Sequence, residues 1–411
     1  MYTAVVTRIT VRPHPNADKL ALGTTMVGGF QVIVGKDTED GTLGVFFPSD
    51  GQLSHDFCVA NNLYKPAGMF EQNRRVKTIR LRGEQSEGFW CQLSYLEMYT
   101  KLPVDILPEG TELTEVYTFP LCNKYETPAT VRARENREKQ PRKSNRQRDL
   151  VARAMPQHFD TTQFRFVGEQ MARMEGARYI VTEKLHGTSG RVGRVWVEQD
   201  RKWWQKWLQW LRVKTYPDYV LKTVHGTRRV ILGSDQDQQA GFYGSHDFRA
   251  RATEHLVAVL PHNTCVYFEI VGWVGPATSI MPPYGKPPQH FSYGTQPGEC
   301  ELYVYRITTN MPGMDPVEWT WEQVEEWCKL NTVKAVPVLY TGRVGPDFTQ
   351  TVEAYTEGTS VLDERHIREG VVVRVEGEDR TLWAKNKSFV FREAEDKAKT
   401  DTEYVDMEEA T

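Results

Sequence analysis

Residues 183–192 read Glu-Lys-Leu-His-Gly-Thr-Ser-Gly-Arg-Val, and they follow the apolar run Ala-Arg-Tyr-Ile-Val at 177–181. A lysine at the end of a strand ordinarily lays its stem along apolar surface and keeps its charge in water. Lys184 instead precedes His186, Gly187, Thr188 and Ser189, small polar groups able to surround a phosphate. Two chemistries fit: a phosphate-binding cation, or a lysine nucleophile. Gly187 allows close backbone approach, and Thr188 and Ser189 are read as steadying the turn.

The rest of the chain narrows the choice. With 411 residues, two domains are expected. Apolar residues make up 39% and net charge is −3, so cores can form and any nucleic-acid footprint must be local. The six cysteines form no Cys-x-x-Cys pair and have no histidine cluster beside them, which argues against zinc and against a disulfide framework. A reducing cytoplasm is the expected location. No apolar run has signal-peptide or membrane-spanning length, so no membrane role is expected.

Residues 1–118 alternate in strand fashion, from "YTAVVTRITV" to "RRVKTIRLRG", with Gly/Pro/Asp turns between, and suggest a small closed barrel. In the last run Arg75, Lys77, Arg80 and Arg82 alternate with apolar residues: a strand with one wet face, or a face for a phosphate backbone. Residues 119–154 read as a basic linker, carrying eight basic and two acidic residues between Arg132 and Arg148. Residues 155–392 combine strand runs with a helix capped by Thr320 and Gln323, without strict βαβ alternation, which argues an α+β domain of antiparallel sheets. Residues 393–411, with eight acids and two lysines, read as an exposed acidic tail. Within 201–214, Trp203, Trp207, Trp210 and Leu211 share a helical face, read as core or docking surface before base-stacking platform.

Five short blocks occur in order: "EKLHGTS" (183–189), "YFEIVG" (267–272), "YVYRI" (303–307), "REGVVVR" (368–374) and "WAKNK" (383–387). The series resembles motifs I, III, IIIa, IV and V of the covalent nucleotidyltransferases, a superfamily of ATP-dependent ligases and mRNA capping enzymes. The form Glu-Lys-x-His-Gly-Thr resembles its RNA ligases. A barrel ahead of the catalytic domain resembles nick-sealing RNA ligases with an N-terminal OB domain. "HPNADKL" (14–20) resembles OB modules that bind tRNA.

The resemblance implies an ATP-dependent RNA ligase in RNA repair, working through a lysyl-AMP on Lys184. A free lysine titrates near 10.4, so only about one in a thousand is an amine at neutral pH. Lys385 and Lys387 would depress that value and neutralise the triphosphate. Glu269 and Glu369 would hold hydrated Mg²⁺ or Mn²⁺, or the ribose. Tyr305, or Tyr303 on the same strand, would stack on adenine; Val372 would cover its other face; Glu183 or Thr182 would meet its edge. Arg228, preferred over Arg229, would contact the 5′-phosphate or ribose, and Arg165 the terminal phosphates. His186 stands where many ligases have aspartate. The implied partner is RNA, duplex or nicked, with an end-healing kinase or phosphatase and a monomeric enzyme as further expectations. The alternatives are a DNA ligase, a GTP-using capping enzyme, or a non-catalytic RNA-binding protein.

Overall fold

The computed structural model describes residues 2–104, 107–138, 146–211, 217–228, 231–232 and 247–400. The chain divides into two compact units. The first gathers residues 1–129, 163–169 and 389–404, and the second 130–162, 170–388 and 405–411.

The first unit is built on one long strand. Ala4–Pro13 pairs through Val5–Arg8 with Leu43–Pro48, and through Ile9–Pro13 with Leu20–Thr25. One strand thus serves both halves of an antiparallel sheet, which continues to Gln31–Gly35 on one side and Gly88–Gln92 on the other. The edges approach each other: the Glu87 amide donates to the Gln31 carbonyl at 2.9 Å. The result is a nearly closed barrel-like sheet, consistent with an OB-like domain.

Three expectations for this part of the chain need correction. The run "RRVKTIRLRG" forms a strand only over Ile79–Leu81, and its basic residues are engaged. Arg75 is buried against the Asp396 carboxylate and lies 4.8 Å from the Tyr125 ring. Arg80 meets Glu393 at 3.4 Å and covers the Phe389 ring. Alternation identifies a basic face but not what covers it. Here the cover is the helix Phe389–Ala398, so the acidic stretch does not begin as a free tail. Phe389, Phe391 and Asp396 are buried, and the Thr78 amide donates to Asp396 at 2.6 Å. Residues 401–411 lie outside the described residues. The stretch 119–154 is likewise not a bare linker. Leu121 and Cys122 belong to a core of the first unit, and Leu150 and Val151 on the helix Arg146–Ala154 belong to a core of the second. Two apolar residues among many charges were enough to anchor that helix.

The second unit holds two antiparallel sheets with flanking helices. One orders its strands Val338–Arg343, Arg178–Glu183, Gly370–Glu376, Thr381–Lys387. The other runs Ile231–Leu232, Tyr219–Thr227, Thr188–Glu198, Thr264–Gly275, Cys300–Thr309, Val317–Glu318. Arg178–Glu183 is buried on both faces because it lies between two neighbours: five of its six residues are buried. The helix Trp321–Leu330 has the expected capping box, with the Gln323 amide on Thr320 Oγ1 and the Thr320 amide on Gln323 Oε1. Among the described residues no helix is long and apolar enough to cross a membrane, and all six cysteines are free thiols.

Asp396→Ala strips a buried guanidinium of its carboxylate. Loss of one partner of such a pair costs about 3–5 kcal/mol, so the variant is expected to unfold at clearly lower temperature or denaturant concentration. An unchanged midpoint would show that the pair carries no stability.

Candidate active site

The quoted stretch is where the chain leaves one sheet of the second unit for the other. Glu183 pairs with Val371 in the first sheet, and Thr188 pairs with Ile270 in the second. Residues 184–187 make the crossing and are tied at both ends. The Lys184 amide donates to the Gly370 carbonyl at 2.9 Å, and the Tyr293 hydroxyl lies 2.6 Å from the His186 amide that donates to it. Gly187 is required by the second sheet: a Cβ there would stand 2.3 Å from the Ile270 carbonyl oxygen. Gly370, on the facing strand, has φ +146° and a Cβ would meet the Asn386 carbonyl oxygen at 2.0 Å. Two glycines therefore let three strands close around the lysine.

The Lys184 side chain lines a cleft of about 90 Å³. Its Nζ lies 2.7 Å from Glu369 Oε1. Glu369 is 1% exposed and gathers two more cationic or ionisable groups, Lys387 Nζ at 3.6 Å and His186 Nδ1 at 3.6 Å. Lys385 lines the cleft from the same strand as Lys387. Period two places Trp383 with them, while Ala384 and Asn386 point into the interior and are buried. Glu269 lines the opposite sheet and accepts from the Ser189 hydroxyl at 2.7 Å.

The remaining expected residues sort as follows. Glu183, Thr182, Val372, Arg228 and Tyr305 all line the cleft. Burial raises the Glu183 carboxyl above its usual range, and its Oε2 accepts from the Val361 amide at 2.9 Å. Arg228 pairs with Asp160; Arg229 lies outside the described residues. The choice between the tyrosines is decided by a bulge. Tyr267 pairs with Arg306 and Phe268 with Val304, so Tyr305 is the extra residue. Tyr305 lines the cleft, while Tyr303 is buried elsewhere with Lys334 over its ring at 5.8 Å. Burial, reinforced by Glu269, holds the Tyr305 hydroxyl well above its ordinary range.

Arg165 departs from expectation. It belongs to the first unit, is absent from the cleft lining, and is held by Glu87 at 2.9 and 3.0 Å. A basic residue upstream of a nucleophile is only a sequence position; the buried Glu87 carboxylate claims this one.

Three contributors carried weaker signals. His158 lines the cleft and packs edge-on against Tyr305 at 5.2 Å. Burial, followed by the charge of Arg306 and Arg228, pushes its pKa well below the ordinary histidine value, so it is neutral. Nothing in "PQHFD" marks it. Trp383 opens the "WAKNK" block and could have been found from its spacing to Lys385. Ser189, read as a turn residue, positions Glu269.

The donor set suits a hydrated divalent cation. Among the described residues no cluster of three or more His, Cys, Asp or Glu could cage a metal. Glu269 on the cleft wall and the buried Glu369 beside Lys184 are the carboxylates that would hold such an ion, which keeps several of its waters.

No curated protein sequence matches the chain. Its fold matches solved structures of a Naegleria gruberi RNA ligase. One, with pyrophosphate, has a TM-score of 0.60 at 17% identity, covering 94% of this chain and 97% of the other. A lysine-to-alanine mutant of that ligase with ATP and Mn gives a TM-score of 0.59 at 16% identity, covering 95% and 98%. A lysine-to-methionine mutant with AMP and Mn gives 0.60 at 16%, covering 98% and 99%. The RNA ligase family model matches residues 177–388, from the strand before Lys184 to just past Lys387, and on that match the chain belongs to the RNA ligase family.

Proposed function

We propose that this chain is an ATP-dependent RNA ligase that joins 3′-hydroxyl and 5′-phosphate ends through a lysyl-AMP on Lys184, with nicked or broken RNA under repair as its substrate. The observation that carries the reading is the placement of Lys184 Nζ in the cleft, 2.7 Å from a buried carboxylate and on the side lined by Lys385. The resemblance in fold to a ligase studied with ATP, AMP and Mn supports nucleotide and metal choice.

The chain's own groups account for most of the chemistry. Lys184 pairs with Glu369 as an ammonium, and it becomes an amine nucleophile by passing a proton to that carboxylate. Its nitrogen then attacks the α-phosphorus of ATP. The N–P bond forms, the bond to pyrophosphate breaks, and pyrophosphate leaves. Lys385 and Lys387 meet the charge that gathers on phosphate oxygens, so their contribution is electrostatic and pre-positioned. Glu269 and Glu369 would hold a divalent cation, which would supply further charge neutralisation. Tyr305 and Val372 sandwich the base, and the buried Glu183 faces its edge. In the second step an oxygen of the RNA 5′-phosphate attacks the AMP phosphorus and the N–P bond breaks, freeing Lys184. A 3′-hydroxyl then attacks the 5′-phosphorus, and AMP leaves as the new phosphodiester forms. The barrel of the first unit is the proposed grip on flanking RNA.

The deciding assay is self-labelling with α-labelled ATP, with GTP in parallel. ATP is expected to leave a label that survives denaturation and is absent from Lys184→Ala; chelation of divalent metal should abolish it. Label from GTP alone would point to a capping enzyme, and label persisting in Lys184→Ala would remove Lys184 as nucleophile. Tyr305→Ala is expected to raise the ATP concentration needed for half-maximal labelling by about 5- to 150-fold, the range of an aromatic–base stack, with Tyr305→Phe close to wild type. Equal behaviour of Ala and Phe variants would place adenine elsewhere.

A further inference from the structure

The helix Trp203–Trp210 is turned the wrong way round for a core element. A surface helix normally sets its apolar stripe against the body of the protein. This one has no buried residue. Trp203, Trp207 and Trp210 are 79%, 54% and 76% exposed, and they share one face. The other face carries Gln205 and Gln209, and Gln209 accepts from Arg201, which also pairs with Asp218. The polar side is therefore tied through Arg201 to Asp218, just before the next strand, and the indoles face water. Exposed Lys202 and Lys206 flank them, and residues 201–214 contain five basic residues and no acid.

The helix sits at a fixed place relative to the cleft. It joins Thr188–Glu198 to Tyr219–Thr227, which are paired from Gly190↔Thr227 to Glu198↔Tyr219. The cleft end of this pair carries Ser189 and leads into Arg228. The far end carries the tryptophans, about 26 Å away for eight residues of strand.

Resting on the ligase reading, we propose that this helix is a platform for unpaired bases of the RNA substrate. The enzyme's substrate class is then RNA with single-stranded nucleotides a short distance from the break, such as a cleaved loop, in preference to a continuous nicked duplex. Flat faces beside cations suit bases and their phosphates, and stacking of this kind tolerates any sequence. Paired bases present no free face to an indole. A lipid surface is the other partner for an amphipathic helix with tryptophans. Two turns of helix bury little apolar area, however, and the strand pair ties this helix to a cleft that handles RNA ends, so RNA is favoured.

Substitutions at exposed positions separate the two. The triple variant Trp203→Leu/Trp207→Leu/Trp210→Leu keeps an apolar face but removes the rings, and Trp203→Tyr/Trp207→Tyr/Trp210→Tyr restores rings. Binding of the full chain is measured to a labelled single-stranded 12-nucleotide RNA, to a fully paired nicked RNA duplex, and to phosphatidylserine–phosphatidylcholine vesicles. The Leu variant is expected to lose about thirtyfold or more on the single strand, the sum of two modest stacks. On the duplex its loss should stay below about threefold, with the Tyr variant near wild type on both. Self-labelling should be the same in all three proteins. Unchanged single-strand binding by the Leu variant, an equal loss on the duplex, or vesicle binding that the Leu variant keeps while RNA binding does not change would each overturn the proposal. Absence of self-labelling in the wild type would sink the ligase reading separately, since it reports on the cleft alone.

Discussion

A carboxylate that is 1% exposed cannot stand without positive charge around it, and the catalytic unit is organised by meeting that need at Glu369. Leaving such a group unpaired costs several kcal/mol. The groups that meet it come from places far apart in sequence: Lys184 and the His186 ring from the crossing between the sheets, and Lys387 from the end of a neighbouring strand. Lys184 and Lys387 share this one carboxylate, so two cations are held at one place beside the cleft. Cations held close together in a cleft are what a polyphosphate requires.

The two sheets exist in this arrangement because one segment belongs to both. Residues 184–187 leave the first sheet at Glu183 and enter the second at Thr188, so the lysine is fixed by backbone pairing on each side of it. Side-chain positions that rest on strand pairing are held more firmly than those on free loops. Gly187 and Gly370 then remove the two Cβ atoms that would hold the strands apart. Tyr305 enters the cleft by a different device, a bulge that turns one residue out of the period-two pattern.

The sequence showed much of this unit in advance. Its strands carried near-continuous apolar runs, and the ordered blocks placed Lys184, Glu269, Tyr305, Glu369 and Lys385 at one site. What it could not show was which partner each charged residue would find. Arg75 and Arg80 read as a solvent-facing basic edge, yet the acids that engage them lie over three hundred residues away. Arg165 read as a phosphate ligand and is held by Glu87. His158 had no pattern to mark it, because one histidine in an irregular stretch acquires its role only from the rings and guanidinium groups that fold around it. Period and composition are local; ion pairing between distant segments is not.

The helix Phe389–Ala398 belongs to the unit that begins at the amino terminus, although it is made after every strand of the catalytic unit. During synthesis the barrel therefore emerges first but has to wait, with Arg75 lacking its carboxylate, until the ribosome has passed Lys387. No single cut through the chain yields both units intact. The barrel's completion reports that the catalytic unit ahead of that helix has already been made in full.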